Sequence, residues 1–397
     1  MPTLLQINIF NKYSTGKIAE QIGSLAIRYG WKSYFAYSRG SSESESEIIR
    51  IGGNMNTYWH GLETRIFDNH GLSSRLATKK LIKKIITISP DIIHLHNIHG
   101  YYLNYKILFE FLKGYNRPIV WTLHDCWPMT GHCCYFTMAN CNKWRTQCFC
   151  CPLKNDYPQS FLFDRSRRNY IDKKNAFTGL KKIHIVSVSS WLNDIVKDSF
   201  LNYARLHVIH NGTDVSVFTP CKKNNGKKTF NILGVSNVWS ERKGLYDFYK
   251  LRECLSEDYK ILLVGLSQKQ LNELPQGILG ITRTESQAEL AKLYGLSDVF
   301  VNTTYADNFP TVNIEALASG TPVITYKTGG SPEAIDNKTG VVVEPGNITQ
   351  LADTIIKMRQ TPLSSDDCRK RAVDLYDKDI AFREYLNLYN RILASKR

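Results

Sequence analysis

The chain has no run of about eighteen apolar residues, which removes a membrane-spanning helix as a reading. Its start, Met1-Pro-Thr-Leu-Leu-Gln-Ile-Asn-Ile-Phe10, lacks the basic opening, longer apolar stretch and small-residue cleavage site of an export signal. The expectation is a cytoplasmic protein, at most peripheral at the inner face of a membrane. No internal repeat of about 20–50 residues is present, which excludes solenoids and propellers. Acidic residues are scarce beside basic ones, 36 against 51, leaving a net charge of +15. That imbalance suits an anionic partner: a nucleotide diphosphate, an anionic lipid surface or nucleic acid. A hydrophobic fraction of 43% and an aromatic fraction of 12% support packed cores and argue against disorder.

At 397 residues the chain exceeds what one core usually serves, so two domains are expected. Short apolar runs alternate with helical patterns. Leu4–Phe10, Trp31–Tyr37, Pro90–His96, Pro118–His124, Ile183–Val188 and a segment ending at His207–Gly212 read as strands, and Lys17–Tyr29 as an amphipathic helix after an Asn11–Gly16 loop. Ser41–Glu47 reads as a solvated acidic connection. The polar stretch Pro220–Lys228 reads as a linker. Beyond it, strands are expected at Phe230–Val235, Tyr259–Val264, Val299–Asn302, Pro322–Tyr326 and Gly340–Val343. Helices are expected at Leu245–Leu255, Ala288–Tyr294, Asn313–Ala318 and Ile348–Arg359. This rhythm predicts an α/β protein of doubly wound parallel sheets, with ligands at the carboxyl ends of the strands. The expected domains are 1–222, with a cysteine-rich insertion at about 126–152, then 223–374, and a helical tail at 375–397.

The most informative stretch is Asp307-Asn-Phe-Pro-Thr-Val-Asn-Ile-Glu315, followed by Ala-Leu-Ala-Ser-Gly320. Two carboxylates flank a turn that enters a helix. Carboxylates accept hydrogen bonds from hydroxyls, and the amides opening a helix can face a diphosphate. Arg242 and Lys243 form a basic turn, either simply solvated or placed to meet an anionic group such as a diphosphate. Gly16 follows the first strand, where a backbone amide can approach a phosphate closely. A P-loop is excluded there, because the upstream glycine and the hydroxyl residue after Lys17 are missing.

Together with Ser14-Thr-Gly-Lys17, Trp121-Thr-Leu-His-Asp125, Asn211-Gly-Thr-Asp214 and Glu241-Arg-Lys-Gly244, these residues resemble the glycosyltransferases of family 4, and among them the bacterial colanic-acid-type enzymes. The resemblance implies the GT-B fold, two Rossmann-like domains facing across a cleft, the first on the acceptor side and the second binding a nucleotide sugar. It implies that Asp307, where the family usually has Glu, binds donor-sugar hydroxyls. It places Glu315 on the ribose, and Asn308, Phe309, Pro310 and Thr311 beside the sugar and diphosphate. His124 would touch the donor sugar. The family's usual Arg six residues before the Lys is Asn237 here, so either Arg242 takes that role or Lys243 acts with backbone amides. The implied activity is retaining transfer of a hexose-type sugar from a UDP or GDP donor to a growing, lipid-linked polysaccharide. The implied mechanism is front-face displacement, with no metal for the chemistry. A nucleotide-sugar 2-epimerase of the same fold and a basic, zinc-containing nucleic-acid binder are the rivals. The Asp307–Glu315 run favours a nucleotide sugar over nucleic acid.

Cys133, Cys141, Cys148 and Cys151, with His132, Cys134 and Cys150 alongside, allow a structural zinc site, free thiols or a disulfide. His94, His96 and His99 read as hydrogen-bonded histidines rather than ligands. On a helical wheel Lys79, Lys80, Lys83 and Lys84 oppose Leu81, Ile82, Ile85 and Ile86, either a solvated face over a core contact or a face for an anionic membrane.

Overall fold

Runs rich in isoleucine, valine and leucine become strands buried on both faces, and they assemble into two wholly parallel sheets. The computed structural model describes residues 1–40, 43–222 and 229–395. The first sheet contains β1 (Thr3–Phe10), β2 (Lys32–Arg39), β3 (Glu47–Arg50), β4 (Ile92–Leu95), β5 (Ile119–Leu123), β6 (Ile183–Ser187) and β7 (Arg205–Val208), in the order β3-β2-β1-β4-β5-β6-β7. The second contains β8 (Phe230–Val235), β9 (Tyr259–Val264), β10 (Ile278–Ile281), β11 (Val299–Asn302), β12 (Val323–Tyr326) and β13 (Gly340–Val343), in the order β10-β9-β8-β11-β12-β13. Every residue of β4, β5, β6, β11 and β12 is buried. Crossover helices on both faces impose that burial. The edge strands β3 and β10 escape the sequence pattern, because an edge strand is half-exposed and needs no continuous apolar run.

In the first part of the chain the helices are α1 (Tyr13–Arg28), α2 (Asn54–Phe67), α3 (Arg75–Ile88), α4 (Tyr105–Gly114), α5 (Ser166–Phe177) and α6 (Ser190–Lys197). The rest are α7 (Leu245–Cys254), α8 (Gln268–Asn272), α9 (Gln287–Leu296), α10 (Thr311–Ala318), α11 (Ile348–Gln360), α12 (Ser365–Tyr376) and α13 (Lys378–Ala394). Helix α1 starts earlier than the pattern predicts, so Gly16 lies in its first turn rather than in a loop. Leu81 and Ile85 of α3 are buried, but Ile86, expected on the same apolar side, is 60% exposed.

The chain forms two compact units, Met1–His210 with Phe382–Arg397, and Asn211–Ala381. The division precedes the expected 222/223 boundary, because residues 211–218 are held by α12 and the start of α13. Arg369 donates to the carbonyls of Val215 and Phe218, and Lys378 pairs with Asp214. The expected tail is likewise no separate element. Tyr385 and Tyr389 are fully buried in the first unit, where the Tyr389 hydroxyl lies 2.7 Å from His94 Nδ1. Ser41 and Ser42 of the expected acidic connection, and 223–228 of the expected linker, lie outside the described residues. In the second unit Phe248, Leu251, Ile261, Leu263, Val301, Ile324, Leu351 and Ile355 form the core under the sheet.

Candidate functional site

In a doubly wound sheet the strand order reverses at one point, and the loops leaving the two strands there diverge to open a crevice. In the second unit that point lies between β8 and β11. The loop after β8 carries Arg242 and Lys243 on a short 3₁₀ turn, and the loop after β11 carries Asp307. Lys243 Nζ lies 2.7 Å from Asp307 Oδ2, with each side chain about one-fifth exposed. Burial alone would raise the Asp307 carboxyl. The Lys243 ammonium, helped by Arg242 and the Phe309 amide, outweighs it and holds the group below its usual range. Asp307 is therefore an anion at neutral pH.

Glycines bring these loops together. Gly244, at φ 70°, ends the cationic turn, and a Cβ there would meet the Thr303 carbonyl oxygen at 2.3 Å. Thr303 Oγ1 answers by donating to the carbonyl of Lys243 at 3.0 Å. Gly329, at φ 53°, sits in the loop after β12, where a Cβ would lie 1.8 Å from the Asp307 carbonyl oxygen. The Gly330 amide donates to that same oxygen at 3.3 Å. Sequence reasoning missed Gly329 and Gly330; a glycine pair two residues beyond the end of an apolar strand was the available signal. Arg242 Nη1 donates to the Ala306 carbonyl at 2.7 Å, so its guanidinium braces the Asp307 loop.

Pro310 precedes α10 without a side-chain cap, and Thr311 opens the helix with its side chain partly exposed. Asn308 and Phe309 are buried; Asn211 Nδ2 donates to the Phe309 carbonyl at 3.2 Å. Asn313 fixes the helix from below, receiving a hydrogen bond from Asn302 Nδ2 at 2.8 Å and donating to the Ser331 carbonyl at 3.2 Å. Further along α10, Glu315 is partly buried and accepts from the Tyr294 hydroxyl at 3.2 Å. The unit thus presents a cation–carboxylate pair, a helix start and a second oriented carboxylate.

Gly16 and His124 belong to the first unit. Gly16 is buried, and a Cβ would meet the Phe10 carbonyl oxygen at 2.9 Å, so the glycine lets α1 start against the end of β1. His124 follows β5 and stacks on His96, with Nε2 3.2 Å from His96 Nδ1. Burial lowers its pKa to about 4 despite the neighbouring Asp125, leaving a neutral imidazole at pH 7. His94 is held by Thr122 and Tyr389, His96 by Gln6 and His124, and His99 by Asp125 at 2.8 Å. The buried His99–Asp125 pair was not anticipated; the acid following His124 was its only sequence signal. Cys133, Cys141, Cys148 and Cys151 line one small cavity with Phe136 and Trp144, and none forms a disulfide.

With this geometry in place, relatives can be compared. The family described as Glycosyltransferase Family 4 matches residues 28–217, and that described as Glycosyl transferases group 1 matches residues 229–361. A protein of Escherichia coli K12 described as a colanic acid biosynthesis glycosyl transferase, WcaC, is 24% identical over 98% of this chain and 100% of its own length. Sucrose-phosphate synthase from Thermosynechococcus elongatus superposes with a TM-score of 0.74 at 16% identity, covering 100% of both chains. HepE of Anabaena, solved with UDP-glucose, gives 0.65 at 14% identity over 99% of each chain. These structural likenesses show the GT-B fold, and the two sheets of seven and six strands match it. With one family match in each unit, the chain belongs to the family 4 glycosyltransferases and is a transferase enzyme.

Proposed function

We propose that the enzyme moves a hexose-type sugar, with retention at the anomeric carbon, from a UDP or GDP donor to a growing lipid-linked polysaccharide. The Lys243–Asp307 pair at the switch point of the second sheet carries this reading. A nucleotide sugar presents a diphosphate and a ring of hydroxyls side by side, and the pair offers a cation for one and an acceptor for the other. Lys243, Arg242 and the amides at Thr311 stabilise the departing phosphate. Asp307 orients the sugar and Glu315 takes the ribose hydroxyls, while His124, a neutral imidazole, keeps the sugar-contact role the family resemblance gives it. Gly16 keeps the phosphate-approach role the family resemblance gives it. In front-face displacement the leaving phosphate itself removes the acceptor proton, so no side-chain nucleophile is assigned and no metal enters the chemistry. The relative described in colanic acid biosynthesis supports a polysaccharide product, and the UDP-glucose complex of HepE supports a nucleotide-sugar donor.

Glu315→Ala tests the assignment. Loss of a charge-assisted contact to the ribose is expected to reduce donor turnover by about 10²-fold or more, with the fold retained. The assay uses the full chain with a panel of UDP and GDP sugars and membrane-extracted glycan acceptors. Near-parental transfer by the variant would refute the role of Glu315. Interconversion of free donors without acceptor would make the enzyme an epimerase instead.

A lipid-linked acceptor fits the surface of the first unit. Helix α2 exposes Met55, Tyr58, Trp59 and Leu62 at helical spacing, with Tyr58 81% and Trp59 60% exposed. Phe161, Leu162 and Phe163 are exposed beside its end, where the Phe161 amide donates to the Arg65 carbonyl at 2.7 Å. The four lysines of α3 are exposed, and Ser74 before it bonds His60 and Asn56 of α2. Aromatics next to lysines suit an anionic bilayer surface. Among the described residues no helix is long and apolar enough to cross a membrane. Tyr58→Ser with Trp59→Ser is expected to weaken binding to phosphatidylglycerol vesicles at least about tenfold. Equal co-sedimentation of variant and parent would remove this surface from the proposal.

A further inference from the structure

We propose that Cys133, Cys141, Cys148 and Cys151 bind one zinc ion that staples the segment between β5 and α5. Residues 126–165 contain only three short 3₁₀ turns, at Trp127–Met129, Thr137–Ala139 and Lys143–Arg145, and no α-helix or strand. A segment of that length without regular structure needs another source of order. The four cysteines are far apart along it, yet all four line the same small cavity. Cys133 and Cys148 are buried, and the Cys133 and Cys151 thiols are in hydrogen-bond contact.

Two backbone amides reach the sulfurs. The Gly131 amide donates to Cys148 and the Leu153 amide to Cys151. Amide donors on sulfur disperse the negative charge of a metal thiolate, as the outer contacts of a metal site should. Gly131 permits the close approach: a Cβ there would meet the Ser166 carbonyl oxygen at 2.1 Å and the Cys148 Cβ at 2.7 Å.

Charge supplies an independent argument. Four thiolates around a zinc ion carry a net charge of about −2. Lys173 of α5 is 1% exposed, and among the described residues no carboxylate forms an ion pair with it. Its ammonium donates to the carbonyls of Trp127 and Thr130 at 2.7 and 2.9 Å and lies 3.6 Å from the Trp127 ring centroid. Cys134, Cys148 and Cys133 face it, and the Asp68 carboxylate lies beyond them without forming an ion pair with it. A buried ammonium requires compensation, and an anionic metal centre beside it provides that.

Among the described residues, the only three candidate ligand atoms within 4.8 Å of one another belong to His99, Asp125 and Cys134. There His99 and Asp125 already satisfy each other. No three of the quartet sulfurs lie within 4.8 Å of one another; Cys133 and Cys151 are already in contact, and binding the ion requires Cys141 and Cys148 to approach them.

The full chain, purified under reducing conditions without a metal-affinity tag, is expected to contain about one zinc ion per chain by elemental analysis. Cobalt substitution should give the intense visible bands of tetrahedral thiolate coordination. Cys148→Ser should reduce bound zinc to background, whereas Cys150→Ser should leave it unchanged. The proposal is overturned if the parent protein, supplied with zinc, holds none, if its cysteines titrate as free thiols with and without chelator, or if mass analysis shows a Cys133–Cys151 disulfide. The measurements on parent protein decide the matter even if Cys148→Ser fails to fold.

Discussion

Replacing Lys243 by alanine is expected to lower kcat for sugar transfer by about 10²–10³-fold, the usual effect of removing one preorganised group from a developing negative charge. The physical argument rests on the 2.7 Å contact between Lys243 and Asp307. A leaving diphosphate gains charge as the glycosidic bond lengthens. The ammonium beside it needs no reorganisation, because Asp307, Gly244 and the Thr303 hydroxyl already fix its position. Fold stability should respond far less. Each side chain keeps about one-fifth of its exposure, so an Asp307 left without its cation can recover part of the lost contact from water or by taking up a proton. A large kcat loss with a nearly unchanged melting temperature therefore separates a transition-state role from a structural one. In Lys243→Ala the Asp307 carboxyl loses its main stabilising cation, and burial then draws its pKa upward. The acid limb of the residual activity should move to higher pH. If kcat at saturating donor stays within about threefold of parent, Lys243 does not stabilise the leaving group.

Acidification from pH 6.5 to 4.5 is expected to unfold the first unit while the second persists. All ten histidines lie at or before His210. Burial, the largest cause, lowers His60 to about 3 and His184 to about 4 and moves His70, His94 and His96 well below their ordinary value. His60 shows why. Its Nε2 accepts the Gly71 amide at 3.0 Å, and its Nδ1 contacts Ser74 Oγ at 2.8 Å. A proton on Nε2 would break the first bond.

The sign follows from linkage. Near pH 6.5 the unfolded chain begins to take up protons that the folded unit refuses, so stability falls as pH falls, until the lowered folded pKa is reached. Each such histidine costs about 1.4 kcal/mol per pH unit in that window. His60 and His184 together cost about 3 kcal/mol per unit, and the other lowered histidines add to this. Glu20, raised to about 7 mainly by burial, opposes one of them over the same range. His132, raised by Asp68 against its own burial, contributes nothing further below pH 6.5, because both its states are then protonated. A net loss of about 5 kcal/mol or more over the window rivals the whole stability of an ordinary domain. Hydrogen exchange followed by mass spectrometry at pH 7.5 and 5 would show protection lost in residues 1–210 before 229–361. Equal protection in both units at pH 5 would refute the prediction.

Much of the fold was legible because burial imposes a local period. The buried strands β4, β5, β11 and β12 announced themselves as unbroken apolar runs, since a parallel sheet covered on both faces tolerates little else. The turn into α10 was legible for a related reason, as Asn-Phe-Pro cannot continue a strand or sit within a helix. Features without a local period were not legible. The edges β3 and β10 carry no continuous apolar run. Helix α2 turns its apolar stripe outward, so its pattern resembles that of a helix facing a core. The end of α13 belongs to the first unit through Tyr385 and Tyr389, whose partners Thr122 and His94 lie 263 and 295 residues earlier.

The sequence by itself determined the candidates in the second unit: a cationic turn ending in Gly244, a carboxylate after an apolar strand, and a second carboxylate in the helix that stops at Gly320. Those are short-range facts, set by residue type and spacing. Only the tertiary structure decided that Lys243 and Asp307, 64 residues apart, meet as a pair, that Tyr294 holds Glu315, and that Gly329 seats the Asp307 loop. Adjacent strands of a parallel sheet are joined through crossovers, so the loops that diverge at its switch point come from distant parts of the chain, and no local pattern can name them as neighbours.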